Sequence, residues 1–259
     1  MNSNFRPRRS PRPEFEDLAF GLHAVYELLQ AGKEINRILI AREGKTDALR
    51  ELLAIAKQRQ VPVQEVPKEK LNSLTRKNHQ GVIAFVSPIE YQELEQLLPT
   101  LFEQGKTPLL LVLDRITDVR NLGAIARSAQ CAGVDAIVIP LRDAAQVTAD
   151  AIKTSAGALA SLPVCRERSL DRVIDFLLDS GIQLVAATEH AADDYYAVDF
   201  SLPTAIIMGS EEDGIHPNIL RKASVLARIP IVGTVGSLNV SVAAGVLLFE
   251  SVRQRIQSA

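Results

Sequence analysis

The chain has 259 residues, and 47% of them are apolar, which is enough to bury the core of one large or two modest domains. Its 29 lysine and arginine residues are balanced by 31 acidic residues, so any nucleic-acid partner has to be bound by local basic patches. No apolar run approaches the ~20 residues of a membrane span, and the N-terminus lacks the apolar segment of a signal peptide. Cys131 and Cys165 lack the spacing of a metal or redox motif, and such thiols predict a cytoplasmic protein.

The first 17 residues, MNSNFRPRRSPRPEFED, contain three prolines and four arginines. This composition cannot bury enough apolar surface to order itself, so residues 1–17 are predicted to form a disordered basic tail. Its arginines can contact RNA phosphates, and a tail that is merely solvated is the simpler alternative.

Helical and strand patterns alternate over residues 18–88, which are predicted to form a small α/β/α domain. Helices are predicted at GLHAVYELLQAG, TDALRELLAIAKQR and KEKLNSLTR, and strands at INRILIA, VPVQEV and GVIAFVS. The loop LTRKNHQG before the last strand carries Arg76, Lys77 and His79. Side chains on such a loop can reach a phosphate, so Arg76 and Lys77 are candidate RNA contacts, and a solvated loop is an equally good interpretation.

Residues 89–107 carry an amphipathic pattern between prolines and are predicted to form a linker helix ahead of a second domain at 108–259. Strands of that domain are predicted at LLLVLDR, DAIVIP, IQLVAAT and TAIIMG, with helices at NLGAIARSAQCAG, QVTADAIKTSAGA and SVAAGVLLFESVRQRI. This alternation predicts a mostly parallel sheet with helices on both faces. In such sheets ligands bind where loops leave the carboxyl ends of the strands.

Three loops of the second domain are too polar and too rich in glycine for simple connections: DRITDVRNLGAIARSA, MGSEEDGIHP and IPIVGTVGSLNVSVAAG. The first loop lacks the GxGxxG of dinucleotide sites and the chain has no GxxxxGK[ST] phosphate loop, so a Rossmann oxidoreductase or a nucleotide triphosphatase is not supported. The four histidines are isolated from one another, and no metal site is predicted. No serine of these loops stands in the GxSxG context of a nucleophile elbow.

The three loops carry three motifs in order. The first motif, Asn-x-Gly-x-x-x-Arg, is matched by Asn121, Gly123 and Arg127. The second, Gly-x-Glu-x-x-Gly, is matched by Gly209, Glu211 and Gly214. The third, an Ile-Pro turn followed by Ser-Leu-Asn-Val-Ser-x-Ala, is matched by residues 229–230 and 237–243. In these motifs the chain resembles the SpoU (TrmH) family of S-adenosylmethionine-dependent RNA 2'-O-ribose methyltransferases, most closely its bacterial 23S rRNA guanosine-2'-O-methyltransferase group. One departure is Asp213, where many members have lysine or a second glycine.

The resemblance implies a trefoil-knotted, mostly parallel α/β sheet of the SPOUT type for residues 108–259, preceded by an L30e-like RNA-binding domain at 18–88. It implies S-adenosyl-L-methionine as the cofactor and RNA as the partner, with 23S rRNA as the first candidate. It implies no metal ion and no membrane association. It also implies a homodimer, in which the apolar side of the C-terminal helix packs on the knot and on a second subunit. That side consists of Val242, Val246, Leu247 and Phe249.

The resemblance assigns the donor pocket to the backbone around Gly209, Ile229 and Leu238, with Ser237 and Val240 in the same motif. The residue types agree, because Ile229 and Leu238 offer apolar walls and Gly209 ends a strand where close approach is needed.

The resemblance implies catalytic roles for Arg127, Asn121, Glu211 and Asn239, and RNA contact for Arg127. An arginine has a pKa above ~12 and is a poor general base for a ribose hydroxyl, so bidentate binding of the neighbouring phosphate stays open beside the base role. Because Arg127 lies one helical turn past Gly123, it is expected to point back toward the donor. Glu211 can act as an orienting acceptor or as a charge complement to the sulfonium, and the alternative is an acid that only stabilises a helix start. Asn121 and Asn239 can orient the reacting groups, and the alternative is that they cap turns.

Two other functions stay open. One is methylation of transfer RNA by the same chemistry, which the additional N-terminal domain disfavours. The other is a non-catalytic RNA-binding factor in ribosome assembly, which the intact Arg127, Glu211 and Asn239 disfavour.

Overall fold

The computed structural model describes residues 18–42 and 46–258, which form two α/β units, each built on one sheet. The tail predicted at residues 1–17 lies outside the described residues. The smaller sheet is formed by strands between residues 18 and 86, and the larger by strands between residues 109 and 227.

The smaller sheet has the strand order β1-β4-β2-β3. Its strands are β1 (Leu18–Phe20), β2 (Ile35–Ala41), β3 (Val63–Val66) and β4 (Val82–Val86), and its helices are α1 (Leu22–Gln30), α2 (Asp47–Gln58) and α3 (Lys68–Leu74). Strands β2 and β3 are parallel, and β4 runs antiparallel to β1 and β2. The pattern along β2 explains the layers, because Ile38 and Ile40 pack under α1 and α2 while Leu39 packs with Leu71 of α3.

The larger sheet has six strands in the order β10-β8-β9-β5-β6-β7. They are β5 (Leu109–Leu113), β6 (Ala136–Pro140), β7 (Val164–Glu167), β8 (Gln183–Ala187), β9 (Thr204–Met208) and β10 (Val225–Ala227). Every pairing between them is parallel, which confirms the predicted mostly parallel sheet. Their carboxyl ends therefore share one edge, which is the edge where ligands bind in such sheets.

Helices cover both faces of the larger sheet. They are α4 (Leu94–Glu103), α5 (Val119–Cys131), α6 (Ala149–Thr154), α7 (Leu170–Asp179), α8 (Pro217–Lys222) and α9 (Val240–Ser258). Along the fully buried β5, Leu109, Leu111 and Leu113 face the core under α5, α6 and α9, whereas Leu110 and Val112 face the core under α4, α7 and α8. This double burial explains why β5 is a continuous apolar run.

Two predicted helices are shorter in the structure than in the sequence pattern. The helix expected over residues 89–107 begins only at Leu94 and ends at Glu103, and it packs on the larger sheet. The helix expected at QVTADAIKTSAGA is α6 followed by a 3-10 turn at Ala158–Ala160, because Gly157 adopts a left-handed conformation.

The two units are joined by hydrogen bonds around the buried Asn36, which is 2% exposed. Its side-chain Nδ2 donates to the carbonyl oxygen of Val147 at 2.8 Å, and its Oδ1 accepts from the hydroxyl of Tyr91 at 2.8 Å. From the other side, Arg166 donates to the carbonyl oxygen of Ile35 at 3.2 Å and stacks 4.0 Å from the centre of the Tyr91 ring. Buried polar groups that are satisfied only across the junction hold the two units in one arrangement.

Candidate active site

A pocket of about 590 Å³ opens at the carboxyl ends of β8, β9 and β10, beside the first turn of α9. In this strand-end pocket lie all five residues predicted to hold the cofactor: Gly209, Ile229, Ser237, Leu238 and Val240. The structure therefore brings the second and third motifs together at the edge of the sheet where a ligand is expected.

The walls of the strand-end pocket are apolar on one side. Met208 and Ile215 lie buried behind it, whereas Ile231 and Leu238 are 41% and 40% exposed beside the cavity. Such exposed apolar side chains in a concave site offer surface to a flat apolar group of a ligand.

Gly209 and Gly214 close a tight loop directly after β9. Ser210 and Gly214 exchange two backbone hydrogen bonds, of 3.1 and 3.0 Å, and Gly214 has a φ of +67°, in the left-handed region. A Cβ atom on Gly209 would lie 2.2 Å from the carbonyl carbon of Gly214, a distance that no real side chain tolerates. The glycines of the second motif are thus required by the shape of the pocket wall.

Glu211 joins all three motifs through one carboxylate oxygen. Its Oε1 accepts hydrogen bonds from Nδ2 of Asn121 at 3.2 Å, from Nδ2 of Asn239 at 2.7 Å and from the backbone N–H of Val240 at 3.3 Å. The two asparagines also contact each other, with Nδ2 of Asn239 at 3.0 Å from Oδ1 of Asn121. The negative charge lies at the N-terminus of α9, where the helix dipole stabilises it.

Asn239 has a second function as the capping residue of α9. Its Oδ1 accepts from the backbone N–H of Ser241 at 3.0 Å and from the Ser241 hydroxyl at 2.5 Å. Asn239 therefore caps the helix, and the nitrogen of its side-chain amide contacts Glu211. Its predicted role in orienting the reacting groups stays a prediction.

Gly123 of the first motif permits close packing of two helices. A Cβ atom at this position would lie 2.7 Å from Cβ of Thr154, so α5 and α6 touch here only because residue 123 is glycine. Asp118 caps α5 by accepting from the backbone N–H of Arg120 at 2.6 Å, which fixes the first helical turn and with it Asn121.

Arg115 ties the loop after β5 to the loop after β9. The guanidinium donates from Nε to Asp114 at 3.1 Å, from Nη1 to Asp213 at 3.2 Å and from Nη2 to the carbonyl oxygen of Gly214 at 3.1 Å. Hydrogen bonding to the buried Asp114 raises the pKa of Arg115, so the guanidinium stays charged. Arg115 has a φ of +59°, a left-handed conformation that costs a non-glycine residue free energy and that these contacts offset.

A second ion pair fixes the start of the third motif loop. Arg228, next to Ile229, donates from Nε to Asp194 at 2.7 Å, and its backbone pairs with Asp193 and Tyr195. A hydrogen bond from Tyr196, together with Arg228, lowers the pKa of Asp194. The loop thus leaves β10 from a fixed point.

Arg127 lies elsewhere. It is exposed on α5, does not line the strand-end pocket, and forms no ion pair with another described residue. Its neighbour Ser128 faces Gly245 of α9. Arg127 follows Asn121 by six residues, which turns it about 240° around the helix away from that asparagine. The structure brings Asn121, Glu211 and Asn239 together and leaves Arg127 outside the group.

The candidate RNA contacts Arg76 and Lys77 are exposed on the loop before β4, as predicted from their position. The ammonium group of Lys77 lies 4.9 Å from the centre of the Phe20 ring. His79 differs from its neighbours because it is buried, with Nε2 at 2.9 Å from Oδ1 of Asn72 and Nδ1 accepting from the backbone N–H of Gly81 at 3.0 Å. It holds the loop in place and does not face solvent.

Sequence reasoning missed two parts of this site. The loop after β8, with Thr188, Glu189 and His190, lines the strand-end pocket. Its signal was present, because a predicted strand in a parallel sheet must end at the ligand-binding edge. The contacts of Arg115 with Asp213 and Gly214 had no comparable signal, since these two partners lie about a hundred residues away in sequence.

Within residues 18–42 and 46–258, no group of three or more histidine, cysteine or acidic side chains is arranged to hold a metal ion. No helix in the same part of the chain is long and apolar enough to cross a membrane.

Two family models match the chain and account for both of its units. Residues 108–249 match the SpoU rRNA methylase family, and residues 18–92 match the RNA 2'-O ribose methyltransferase substrate-binding family. The chain belongs to the SpoU rRNA methylase family. The resemblance inferred from the three motifs is confirmed, and the strand-end pocket lies within the matched methylase segment.

Known relatives of this SpoU-family protein extend over nearly its whole length. A protein of Staphylococcus saprophyticus assigned to the TrmH family of tRNA/rRNA methyltransferases is 37% identical over 240 residues, covering 93% of this chain and 96% of the relative. The SpoU methyltransferase AviRb of Streptomyces viridochromogenes, solved with AdoMet, is 27% identical, with a TM-score of 0.60 over 93% of this chain and 90% of AviRb. An AdoMet-bound rRNA methyltransferase of Sinorhizobium meliloti is 28% identical, with a TM-score of 0.57 over 91% of this chain and 86% of its own.

Proposed function

We propose that this SpoU-family protein transfers a methyl group from S-adenosyl-L-methionine to the 2'-hydroxyl of a ribose in RNA, with a guanosine of 23S rRNA as the first candidate. The observation that carries the proposal is the contact of Asn121, Glu211 and Asn239, one residue from each motif loop, beside the strand-end pocket. The match of residues 18–92 to an RNA 2'-O ribose methyltransferase substrate-binding family supports RNA as the substrate.

The strand-end pocket suits the methyl donor. Its volume of about 590 Å³ falls in the range of small-molecule sites, and Ile229, Ile231 and Leu238 form apolar walls for an adenine ring. The backbone beside Gly209 can be approached closely because no side chain covers it. Glu211, at the rim, supplies a negative charge that complements a sulfonium. When bound, S-adenosyl-L-methionine supplies an activated methyl group.

The protein's contribution is positioning. The network through Glu211 fixes the side chains of Asn121 and Asn239 beside the strand-end pocket, and in this proposal these fixed side chains help to place the ribose against the donor. Arg127 binds the phosphate beside the target ribose through its planar fork, and its positive charge lowers the pKa of the 2'-hydroxyl. A general-base role for Arg127 is the alternative, and an arginine is poorly suited to it because its pKa lies above ~12.

A homodimer completes the site in this proposal. Val232 and Val235 in the third motif loop are 99% and 73% exposed, and Phe249 and Ile256 on α9 are 51% and 72% exposed. A second copy would cover these apolar side chains, which lie on or directly before the helix that packs against α5. Arg127, exposed on α5, would then serve the strand-end pocket of the partner copy.

The finer fold assignments belong to the same proposal. The trefoil knot is supported by the path of the third motif loop, which leaves β10 at one edge of the sheet and leads into α9, packed on α5. An L30e-like architecture for residues 18–88 is supported by the mixed four-stranded sheet with helices on both faces.

Mapping of 2'-O-methylated nucleotides tests the function. RNA from a strain lacking the protein is compared with RNA from the same strain complemented by the intact protein or by an Asn239→Ala variant. We expect one 23S rRNA guanosine to lose its methyl group in the deletion strain and to regain it only with the intact protein. A change confined to transfer RNA would establish the tRNA function instead.

Donor binding separates an enzyme from an assembly factor. Calorimetry with the purified protein should detect binding of S-adenosylmethionine and of S-adenosylhomocysteine. A folded protein that binds RNA and neither compound at millimolar concentration would be a non-catalytic factor, and the methyltransferase proposal would be wrong.

A further inference from the structure

A cleft of about 530 Å³ lies where the two units meet, at some distance from the strand-end pocket. One wall comes from the end of α2 and the start of β3, including Lys57 and Val63. The other wall comes from Leu141, Arg142 and Arg168, which directly follow β6 and β7. This junction cleft therefore opens at the same edge of the larger sheet as the strand-end pocket, because all six strands are parallel.

The junction cleft is positively charged, and the charges are not neutralised. Lys57, Arg142 and Arg168 are exposed, and none of them forms an ion pair or a side-chain hydrogen bond with another residue in the described part of the chain. Asp143 and Glu167, their neighbours in sequence, are not paired with them either. By contrast, Arg166, two residues before Arg168, forms an ion pair with Glu34 at 3.4 Å. Three unpaired cations around one concavity raise the local concentration of anions.

The two walls of the junction cleft are held at a fixed separation. The hydrogen bonds of Asn36 to Val147 and of Arg166 to Ile35 join the two units that supply these walls, and the Arg166 side chain is 8% exposed. Groups buried in this way exchange partners only when the junction opens. The three cations are therefore presented by a preformed surface.

The junction cleft and the strand-end pocket lie at the same edge of the sheet, with the loop after β5 between them. β6 pairs with β5, and the loop after β6 hydrogen-bonds to the loop after β5, from the backbone N–H of Ala145 to the carbonyl oxygen of Ile116 at 2.7 Å. The same β5 loop carries Arg115 and leads into α5 with Asn121. The loop after β6, which lines the cleft, is thus a direct neighbour of the loop that leads to Asn121.

We propose that the junction cleft binds backbone phosphates of the RNA substrate, through Lys57, Arg142 and Arg168, next to the segment whose ribose is methylated. This inference rests on the proposed function and adds a contact surface to it. Phosphate is the anion that spaced, exposed lysine and arginine side chains bind most readily, and the contacts carry no sequence information. They would hold the register of the RNA while the strand-end pocket provides the chemistry.

The test uses the full-length double variant Arg142→Gln and Arg168→Gln, with Lys106→Gln as the control. Lys106 also carries one exposed positive charge, paired with Asp135, but it precedes β5 at the opposite edge of the sheet. The probe is deproteinised ribosomal RNA from a strain that lacks the protein, bound at several salt concentrations. Donor affinity is measured by calorimetry on the same samples, and folding by thermal unfolding.

We expect the double variant to bind this RNA about tenfold more weakly, with the slope of log affinity against log salt reduced by about 1.4 if two single-strand phosphate contacts are lost. Lys106→Gln should leave both quantities unchanged, and all proteins should keep the same donor affinity and thermal stability. If the wild-type protein methylates RNA and the double variant keeps the same RNA affinity and salt slope, the proposal that the junction cleft binds RNA is wrong and the proposed function is unaffected. If the wild-type protein binds no RNA, both the proposal for the junction cleft and the proposed function are wrong.

Retained RNA affinity in the double variant, accompanied by loss of an interaction with an acidic protein, would assign the cleft to a protein partner and would likewise overturn the proposal. Lys57→Gln, tested singly, is expected to reduce the salt slope by about 0.7. An unchanged slope would show that Lys57 on α2 does not contact the RNA. The part of the proposal that places RNA between the two units would then be wrong.

Discussion

Arg115 and Asp213 meet at 3.2 Å, although 98 residues separate them in the chain. The contact fastens the wall of the strand-end pocket to the loop that leads into α5. It also occurs at a position with a left-handed backbone, so the side chain and the backbone of Arg115 contribute to stability with opposite signs.

Replacement of Arg115 by alanine and by glycine separates these contributions. Both changes remove the guanidinium contacts, but only glycine adopts a φ of +59° without steric cost. We expect Arg115→Gly to be about 1 kcal/mol more stable than Arg115→Ala. Both should bind S-adenosylhomocysteine several-fold more weakly. Thermal unfolding and calorimetry measure the two effects, and equal donor affinity in wild type and both variants would show that the loop does not need this tether.

Gly209→Ala should abolish donor binding. The added Cβ would meet backbone atoms of Gly214 and Ile215 at 2.2 and 2.3 Å, and these cannot move without opening the loop after β9. Gly233→Ala is the matched control, since a Cβ there meets nothing within 4 Å. Calorimetry should show normal binding by Gly233→Ala. Normal binding by Gly209→Ala as well would mean that the donor does not rest on this loop.

Arg127→Lys should lose two or more orders of magnitude in single-turnover methylation, because lysine keeps the charge but not the planar fork. That corresponds to roughly 3 kcal/mol of transition-state stabilisation. Donor affinity should be unchanged, since Arg127 does not line the strand-end pocket. Near-normal turnover of both Arg127→Lys and Arg127→Ala would make this arginine structural.

Mixing two inactive variants tests whether Arg127 acts across a dimer. Arg127→Ala retains an intact strand-end pocket, and Glu211→Ala retains Arg127. In a mixed dimer one site would combine both intact parts, so a 1:1 mixture that exchanges subunits should recover about one quarter of wild-type activity. No recovery from an exchanged mixture would place Arg127 and Glu211 in the same subunit's site.

The two thiols should differ sharply in reactivity. Burial beneath α4 and α7 raises the pKa of the Cys165 thiol to about 12, and the thiolate is the reactive form. Cys131 is exposed at the end of α5. Alkylation at pH 8, followed by mass spectrometry, should therefore modify the native protein once and the unfolded protein twice. Modification of Cys165 in the native protein would indicate that α4 opens readily.

Much of the larger sheet could be predicted because its central strands are buried on both faces. The apolar runs of β5, β6, β8 and β9 are typical of strands that are covered by helices on both faces of a parallel sheet. The edge strands were harder: β7 carries polar residues at its carboxyl end, and β10 has only three residues. Strand β1 was missed for the same reason, since three residues do not define a period.

The composition of the candidate site could be predicted further than its geometry. The resemblance to the SpoU family pointed to Asn121, Glu211 and Asn239, because each of them stands in one of its three motifs. The side-chain contacts of Arg115 depend on how two distant loops meet, which no local pattern records. The direction of Arg127 depends on the rotation of α5, and counting turns from Gly123 did not fix it relative to the strand-end pocket.

The hydrogen bonds around Asn36 keep the two units at a fixed distance from each other. With both units fixed to each other, the distance from the Arg76 and Lys77 loop to the strand-end pocket is set by the protein and not by its ligand. In the proposed function, with RNA bound by the Arg76 and Lys77 loop, a rigid spacing of this kind would select among RNA molecules by the separation between two features of their folded shape. Tertiary structure, rather than the nucleotide sequence around the ribose, would then decide which RNA is methylated.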